Sequence, residues 1–321
     1  MSFNIFILKR FIFVIAFLGI STQKITFEFS RIAPGKPTEL AVIAREFARG
    51  NGLTTKIQTP ANLSHMERNN YSKSLFTNLP NTSYAPLYPM FIGSIFKIIG
   101  LENLENKWVG KDRYYLMDLI IAITNTLFFF AAIVCSYFLV YRLFTHVIAG
   151  LVCIIISLSP IVWSTILQGG GDSMVFFFFT YSMFMLLKAF ETEKTTFYGL
   201  ISVGLMFCAV LTDWIAIWPY LGLMLSALLL PKGHGLIQSV GWGALVTVIS
   251  IQAYTNISVT GSFFGMAILD VIPSGNTNEA AAALSNLTIT NGLVKLILLS
   301  FITNIYESLS LMGFSQAGFF L

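Results

Sequence analysis

The chain is 321 residues long, 55% of them hydrophobic and only 11% charged, with a net charge of +4. Soluble domains carry about 25% charged residues, so a chain this poor in charge cannot cover a water-facing surface and must use lipid as the solvent for much of its length. The small positive charge, with no basic stripe or zinc-knuckle spacing, argues against a nucleic-acid partner. Cys135, Cys153 and Cys208 sit inside apolar runs and read as small core hydrophobes, neither a disulfide framework nor a metal site. His65, His146 and His234 are scattered and form no metal motif.

In chain order, Lys9 and Arg10 precede an apolar run, Phe11 to Ile20, that could pass for the core of a signal peptide. No small-x-small cleavage site follows, so the expectation is an uncleaved signal anchor over Leu8 to Phe27. Residues 28–113 differ in kind: they hold 11 of the 19 Lys and Arg residues and the turn signals Pro34-Gly35, Gly50-Asn51-Gly52, Pro60 and Pro80. Two helical stretches are expected inside this loop. The first runs from Thr38, as N-cap, to Arg49 before Gly50; Leu40, Ile43, Ala44 and Phe47 recur at helical spacing, with Arg45, Glu46 and Arg49 on the other side. The second, Pro89 to Ile99, is too short to span and reads as juxtamembrane. Further spans are expected at Tyr114–Arg142, His146–Leu167, Ser173–Phe190, Phe197–Thr212, Trp214–Leu230, Leu236–Tyr254 and Leu293–Met312, with a second polar loop over 255–292. The fold class is therefore all-α: one polytopic bundle of about eight spans with a long extracytoplasmic first loop.

Charge orients the bundle. With the N-terminus inside, Lys9, Arg10, Arg142, Lys188, Lys194 and Lys232 fall on cytoplasmic segments, whereas the turns at Gln168–Asp172 and Asp213 and the loop 255–292 carry no Lys or Arg. The basic first loop is longer than about 60 residues and so escapes this rule. Both polar loops face outward, where Arg31, Lys36, Arg45, Arg49, Lys56, Arg68 and Lys73 could meet a lipid phosphate or simply be solvated. Asp172 follows Gly169-Gly170-Gly171 at the outward end of a span. Acids at membrane depth tend to be functional, and the glycines would let a substrate approach closely; an interfacial N-cap is the plainer alternative.

The run from Glu39 to Gly52 (Glu-Leu-Ala-Val-Ile-Ala-Arg-Glu-Phe-Ala-Arg-Gly-Asn-Gly) resembles the first-loop signature of GT-C membrane glycosyltransferases, the superfamily of protein O-mannosyltransferases and aminoarabinose transferases. Ala85-Pro86-Leu87-Tyr88-Pro89, then Phe96-Lys97-Ile98-Ile99-Gly100, resemble that family's turn and short helix. Asn125-Thr-Leu-Phe, Tyr141-Arg-Leu-Phe144, Gly199 to Pro219, and Asn256 with Thr260-Gly-Ser262 continue the likeness in order across the chain.

The resemblance implies sugar transfer from a polyprenyl-phosphate-sugar donor to a lipid, glycan or protein acceptor at the outer face of the plasma or inner membrane, by inverting direct displacement. It implies Glu39 and Asp172 as catalytic carboxylates, and Arg45, Arg49, Tyr88 and Lys97 as substrate-binding residues. No cofactor is implied beyond an open question of a divalent metal. The chain departs from the family where many members carry Asp, since Lys36 and Pro37 stand there, and where they carry Arg, since Asp213 stands there. Family members usually continue past the apolar span at which this chain stops, which implies a shortened form or a fragment. Two rivals remain open: a transporter or lipid flippase, which would need paired charges or broken helices near the midplane, and a scaffold of this fold that has lost its base.

Overall fold

A computed structural model describes residues 17, 19–29, 31–56, 79–81, 83–101, 108–109 and 114–260. The chain divides into two units, and all these residues belong to the one formed by Met1–Thr59 and Asn70–Met266. The expected span Leu293–Met312, the start of Leu8–Phe27, and Arg68 and Lys73 lie outside the described residues.

The fold is helical. Helix α1 covers 19–27, α2 Lys36–Ala48, α3 Leu87–Ile99, α4 Leu116–Leu143, α5 His146–Leu158, α6 Pro160–Leu167, α7 Asp172–Glu191, α8 Thr195–Thr212, α9 Ile217–Ala227 and α10 His234–Thr260. Two short antiparallel pairs, Thr54–Thr55 with Leu79–Pro80 and Trp108–Val109 with Tyr114–Tyr115, brace the first loop. Helices α4, α7, α8 and α10 are each long and apolar enough to cross a membrane, and the bent pair α5–α6 makes a fifth if it counts as one span. These helices mark a membrane protein.

Several boundaries differ from expectation for local reasons. Helix α2 starts at Lys36 because Gly35, at φ 85°, turns the chain and Pro37 fits the first turn. Thr38 is inside the helix, where its hydroxyl donates to the Ala33 carbonyl at 2.8 Å. The expected span Trp214–Leu230 is a 3-10 turn, Trp214–Ala216, running into the 11-residue α9. Helix α10 continues to Thr260, so the second loop begins later than residue 255. Pro160, lacking an N–H, breaks α5 from α6 with a 56° bend. The Trp163 indole N–H donates to the Ser157 carbonyl there at 2.7 Å, restoring a partner the break removed.

Three apolar clusters form the core. One joins α1, α4 and α6, with Trp163 and Phe129 edge to face at 5.5 Å. A second joins α7, α8, α9 and α10. Where α7 crosses α8, Ser182 and Ser202 each donate a hydroxyl to the other's carbonyl at 2.8 Å, a polar bond suited to lipid surroundings. The third fastens the first loop to the bundle: Leu40, Ala44 and Ala48 of α2 and Tyr88, Ile92 and Phe96 of α3 pack on Met117, Ile121 and Met174. The α3 residues repeat every four positions, the stripe that buries one helix face. Its other face exposes Met90, Phe91, Ile98 and Ile99, Ile98 by 85%, which fits the apolar side of a membrane interface better than water. Helices α2 and α3 touch through backbone, for a Cβ on Gly93 would lie 2.4 Å from the Ala44 carbonyl oxygen.

Helix periodicity puts Glu46 on the polar face of α2, yet its side chain is 0% exposed. Arg49 donates to Glu46 at 3.0 Å, Asn51 at 2.7 Å, and the Lys56 ammonium lies 3.1 Å away. Burial alone would raise the Glu46 pKa, but the hydrogen bonds from Asn51, Lys56 and Arg49 and the Lys56 charge together bring it below the ordinary carboxylate value. A depressed folded pKa means that the stabilisation is present above the unfolded value and is lost as pH falls through the folded one. Glu46→Gln should therefore cost about 2 kcal/mol at neutral pH, with the gap to the unmodified protein closing as pH falls below the ordinary carboxylate range, read by thermal unfolding over a pH series.

Candidate functional site

The turn between α6 and α7, Gln168 to Gly171, is held from three sides by hydrogen bonds to its carbonyls. Asn125, buried on α4, donates its amide to the Gly170 carbonyl at 2.9 Å and the Ile166 carbonyl at 3.3 Å. The Tyr88 hydroxyl, on α3, shares its one proton between the Gly169 carbonyl at 2.9 Å and Asn125 Oδ1 at 3.1 Å. Burial pushes the Tyr88 pKa far above the ordinary phenol value; the Asn125 bond opposes the shift and the Asp172 charge adds to it, so the hydroxyl stays a donor. From the loop side, Ala33 N–H donates to the Gln168 carbonyl at 2.8 Å. The Asp118 carboxyl, one turn into α4, lies on the side of the Ile32 backbone N–H. Tyr88→Phe should lower stability by about 1–2 kcal/mol, measured by thermal unfolding, because the buried Gly169 carbonyl loses its donor.

The three glycines serve different ends. Gly169 has φ 93°, and a Cβ there would stand 2.7 Å from Ile32 Cγ2. A Cβ on Gly171 would come within 3.1 Å of Thr212 and 3.3 Å of the Tyr88 ring, so this glycine lets α7 start close against α3 and α8. At Gly170 a Cβ would meet only the Asp172 carboxyl, 2.6 Å from Oδ2. The missing side chain at 170 is the space in which the Asp172 carboxylate lies.

Asp172 opens α7 and is exposed, whereas Ser173 beside it is buried with its hydroxyl unpartnered among the described residues. Among the described residues two charged groups act on Asp172: Lys36, attractively, and Asp213, repulsively. Those two are themselves an ion pair, joining the first turn of α2 to the junction of α8 and the 3-10 turn. Lys36 is the outer partner, its side chain 46% exposed against 14% for Asp213. Asp213 is held independently by the Ile215 N–H, which donates to Oδ1 at 3.3 Å while Lys36 takes Oδ2. Beneath lies a cavity of about 270 Å³, lined by Asp172 and otherwise by apolar residues, among them Phe176, Phe179, Met206, Ile215 and Pro219.

The residues singled out from sequence fall into two groups. Asp172 lines the cavity, Tyr88 lies under its turn, and Glu39 is half-buried on α2 one turn beyond Lys36, hence a neighbour of it on the same helix face. Arg45 and Arg49 stand about 14 and 20 Å further along α2 at ~1.5 Å per residue, so the structure does not bring them to Lys36. Arg49 pairs with Glu46; Arg45 Nε is buried without a partner among the described residues. Lys97 is exposed in the last turn of α3, about 14 Å from Tyr88 by the same rise. Sequence reasoning missed the Lys36–Asp213 pair, whose partners lie 177 positions apart.

Chemically, the arrangement offers one exposed carboxylate, fixed at a helix start, at the mouth of an apolar slot and beside a neutralised lysine. Such a carboxylate can hold or accept a proton. Among the described residues no three His, Cys, Asp or Glu side chains gather as a metal site. Compared with family models, with curated proteins and with solved structures, the chain matches none.

Proposed function

We propose that this chain is an integral-membrane glycosyltransferase that moves a sugar from a polyprenyl-phosphate donor to an acceptor at the extracytoplasmic face, by direct displacement with inversion. The observation that carries the reading is the Asp172 carboxylate at the mouth of an apolar cavity, aimed by a turn that three separate elements hold. A lipid-linked substrate keeps its tail in apolar surroundings and its reacting end at the interface, which is the division this cavity makes. Asp172 is the base that takes the proton of the attacking group, and Glu39, a turn from Lys36, is the second candidate. Arg31 is exposed, two residues before Ala33, whose N–H holds the turn, and is the loop cation best situated to meet the donor phosphate. In this reading the chain crosses the plasma or inner membrane eight times with its N-terminus cytoplasmic, adding Leu8–Phe27, Trp214–Leu230 and Leu293–Met312 to the five apolar spans above.

A transporter is the second reading, and the break between α5 and α6 is what favours it. The break is closed by the Trp163–Ser157 bond inside an apolar cluster, with no charged residue from His146 to Leu167 to coordinate a passing solute. That weighs for the transferase. The test is binding of a radiolabelled polyprenyl-phosphate sugar to the purified protein in nanodiscs. Saturable binding is expected, weakened about tenfold by Arg31→Ala. Absence of saturable binding would contradict the proposal.

A further inference from the structure

We infer that the cavity beside Asp172 takes an amphiphile with a cationic amine head, and that Asp213 sets this charge preference by neutralising Lys36. Calling this amphiphile the acceptor rests on the transferase reading; the charge preference itself does not.

Charge at the rim of the apolar slot selects the head group. The slot is lined by side chains without charge apart from Asp172, so the groups at its mouth decide which head can be seated. Among the described residues Lys36 is the one cation acting on Asp172, and Asp213 already pairs with it. Asp213 does not yield easily, because its other oxygen is tied to the Ile215 N–H at the start of the turn that forms the cavity wall. Glu39, next to Lys36 along α2, adds a further carboxylate to that neighbourhood. With Lys36 cancelled, the mouth presents the unmatched charge of Asp172. A second anion seated there would face two carboxylates across a poorly screened boundary, whereas an ammonium would complete the set. The slot, at about 270 Å³, is just below the roughly 300 Å³ at which pockets for larger ligands begin. It suits a single narrow alkyl or isoprenoid tail.

The transfer step then balances. Asp172 takes one proton from the ammonium, and the freed lone pair on nitrogen bonds to the anomeric carbon. The carbon–oxygen bond to the donor phosphate breaks with its electron pair left on the phosphate. The product retains its charge as a secondary ammonium.

The test uses 12-bromododecylamine and 12-bromododecyl phosphate with the full chain in phosphatidylcholine nanodiscs. It reads the bromine quenching of tryptophan fluorescence that Trp214→Phe removes, since Trp214 adjoins the cavity residue Ile215. The amine should bind about tenfold more tightly than the phosphate. Asp213→Asn, which releases Lys36, should cancel or reverse that order, and Asp172→Asn should weaken amine binding about tenfold. Phosphate bound as tightly as amine by the unmodified protein would overturn the inference, as would a ratio unchanged in Asp172→Asn. An intact amine preference in a protein that transfers no sugar would refute the transferase reading and leave this one standing.

Discussion

Asp172→Asn is expected to lower sugar transfer by about 10²- to 10⁴-fold while leaving the fold intact, the range typical of removing a general base. The substitution preserves shape and leaves an amide oxygen at the start of α7, so the stability lost is the interaction of one charge with a helix N-terminus, about 0.5 kcal/mol. Among the described residues none of the bonds that hold the turn involve the Asp172 side chain: they run from Asn125, Tyr88 and Ala33 to the carbonyls of Ile166, Gln168, Gly169 and Gly170. Chemistry and scaffold are therefore separable at this residue. Glu39→Gln is the matched control and should change transfer only a few-fold. If Glu39→Gln abolished transfer and Asp172→Asn did not, the base would be Glu39 and the cavity a bystander.

The second large effect divides two adjacent glycines. Gly169→Ala should destabilise the protein by about 2–4 kcal/mol, since the substitution forces a side chain into a left-handed backbone and against Ile32. Gly170→Ala should leave thermal unfolding nearly unchanged, because its new methyl meets nothing but the movable carboxyl of Asp172. The same methyl displaces that carboxyl, and a displacement on the order of 1 Å can cost about 10²-fold in rate. Unfolding curves and transfer rates measured side by side on the two variants check both halves. A loss of stability at Gly170 equal to that at Gly169 would show that the turn, and not the aim of Asp172, needs these glycines.

Much of this layout is legible in the sequence. The helical class follows from apolar runs at spanning length, and the starts of α4, α7 and α8 fall within two residues of the periodicity. Asp172 stands out because a triple glycine precedes it at the end of an apolar run, a local signal. What could not be read depends on contacts between distant positions. Glu46 sits on the polar face of α2 by periodicity, and only Arg49, Asn51 and Lys56 arriving around it make its burial affordable. Lys36 and Asp213 stand out singly, each where the resembling family carries the opposite charge. Only the fold reveals that these two departures are the ends of one ion pair. Tyr88 and Asn125 likewise belong to separate motifs, and their shared work of holding the turn is a property of packing.

We propose that this chain transfers sugar at the outer face through Asp172. The most direct test is product analysis by mass spectrometry and anomeric NMR, with purified protein in nanodiscs, a polyprenyl-phosphate sugar of known anomeric configuration and a panel of lipid amines and alcohols. A glycosylated acceptor of inverted configuration is expected from the unmodified chain and none from Asp172→Asn. Product of retained configuration, or equal product from both proteins, would contradict it.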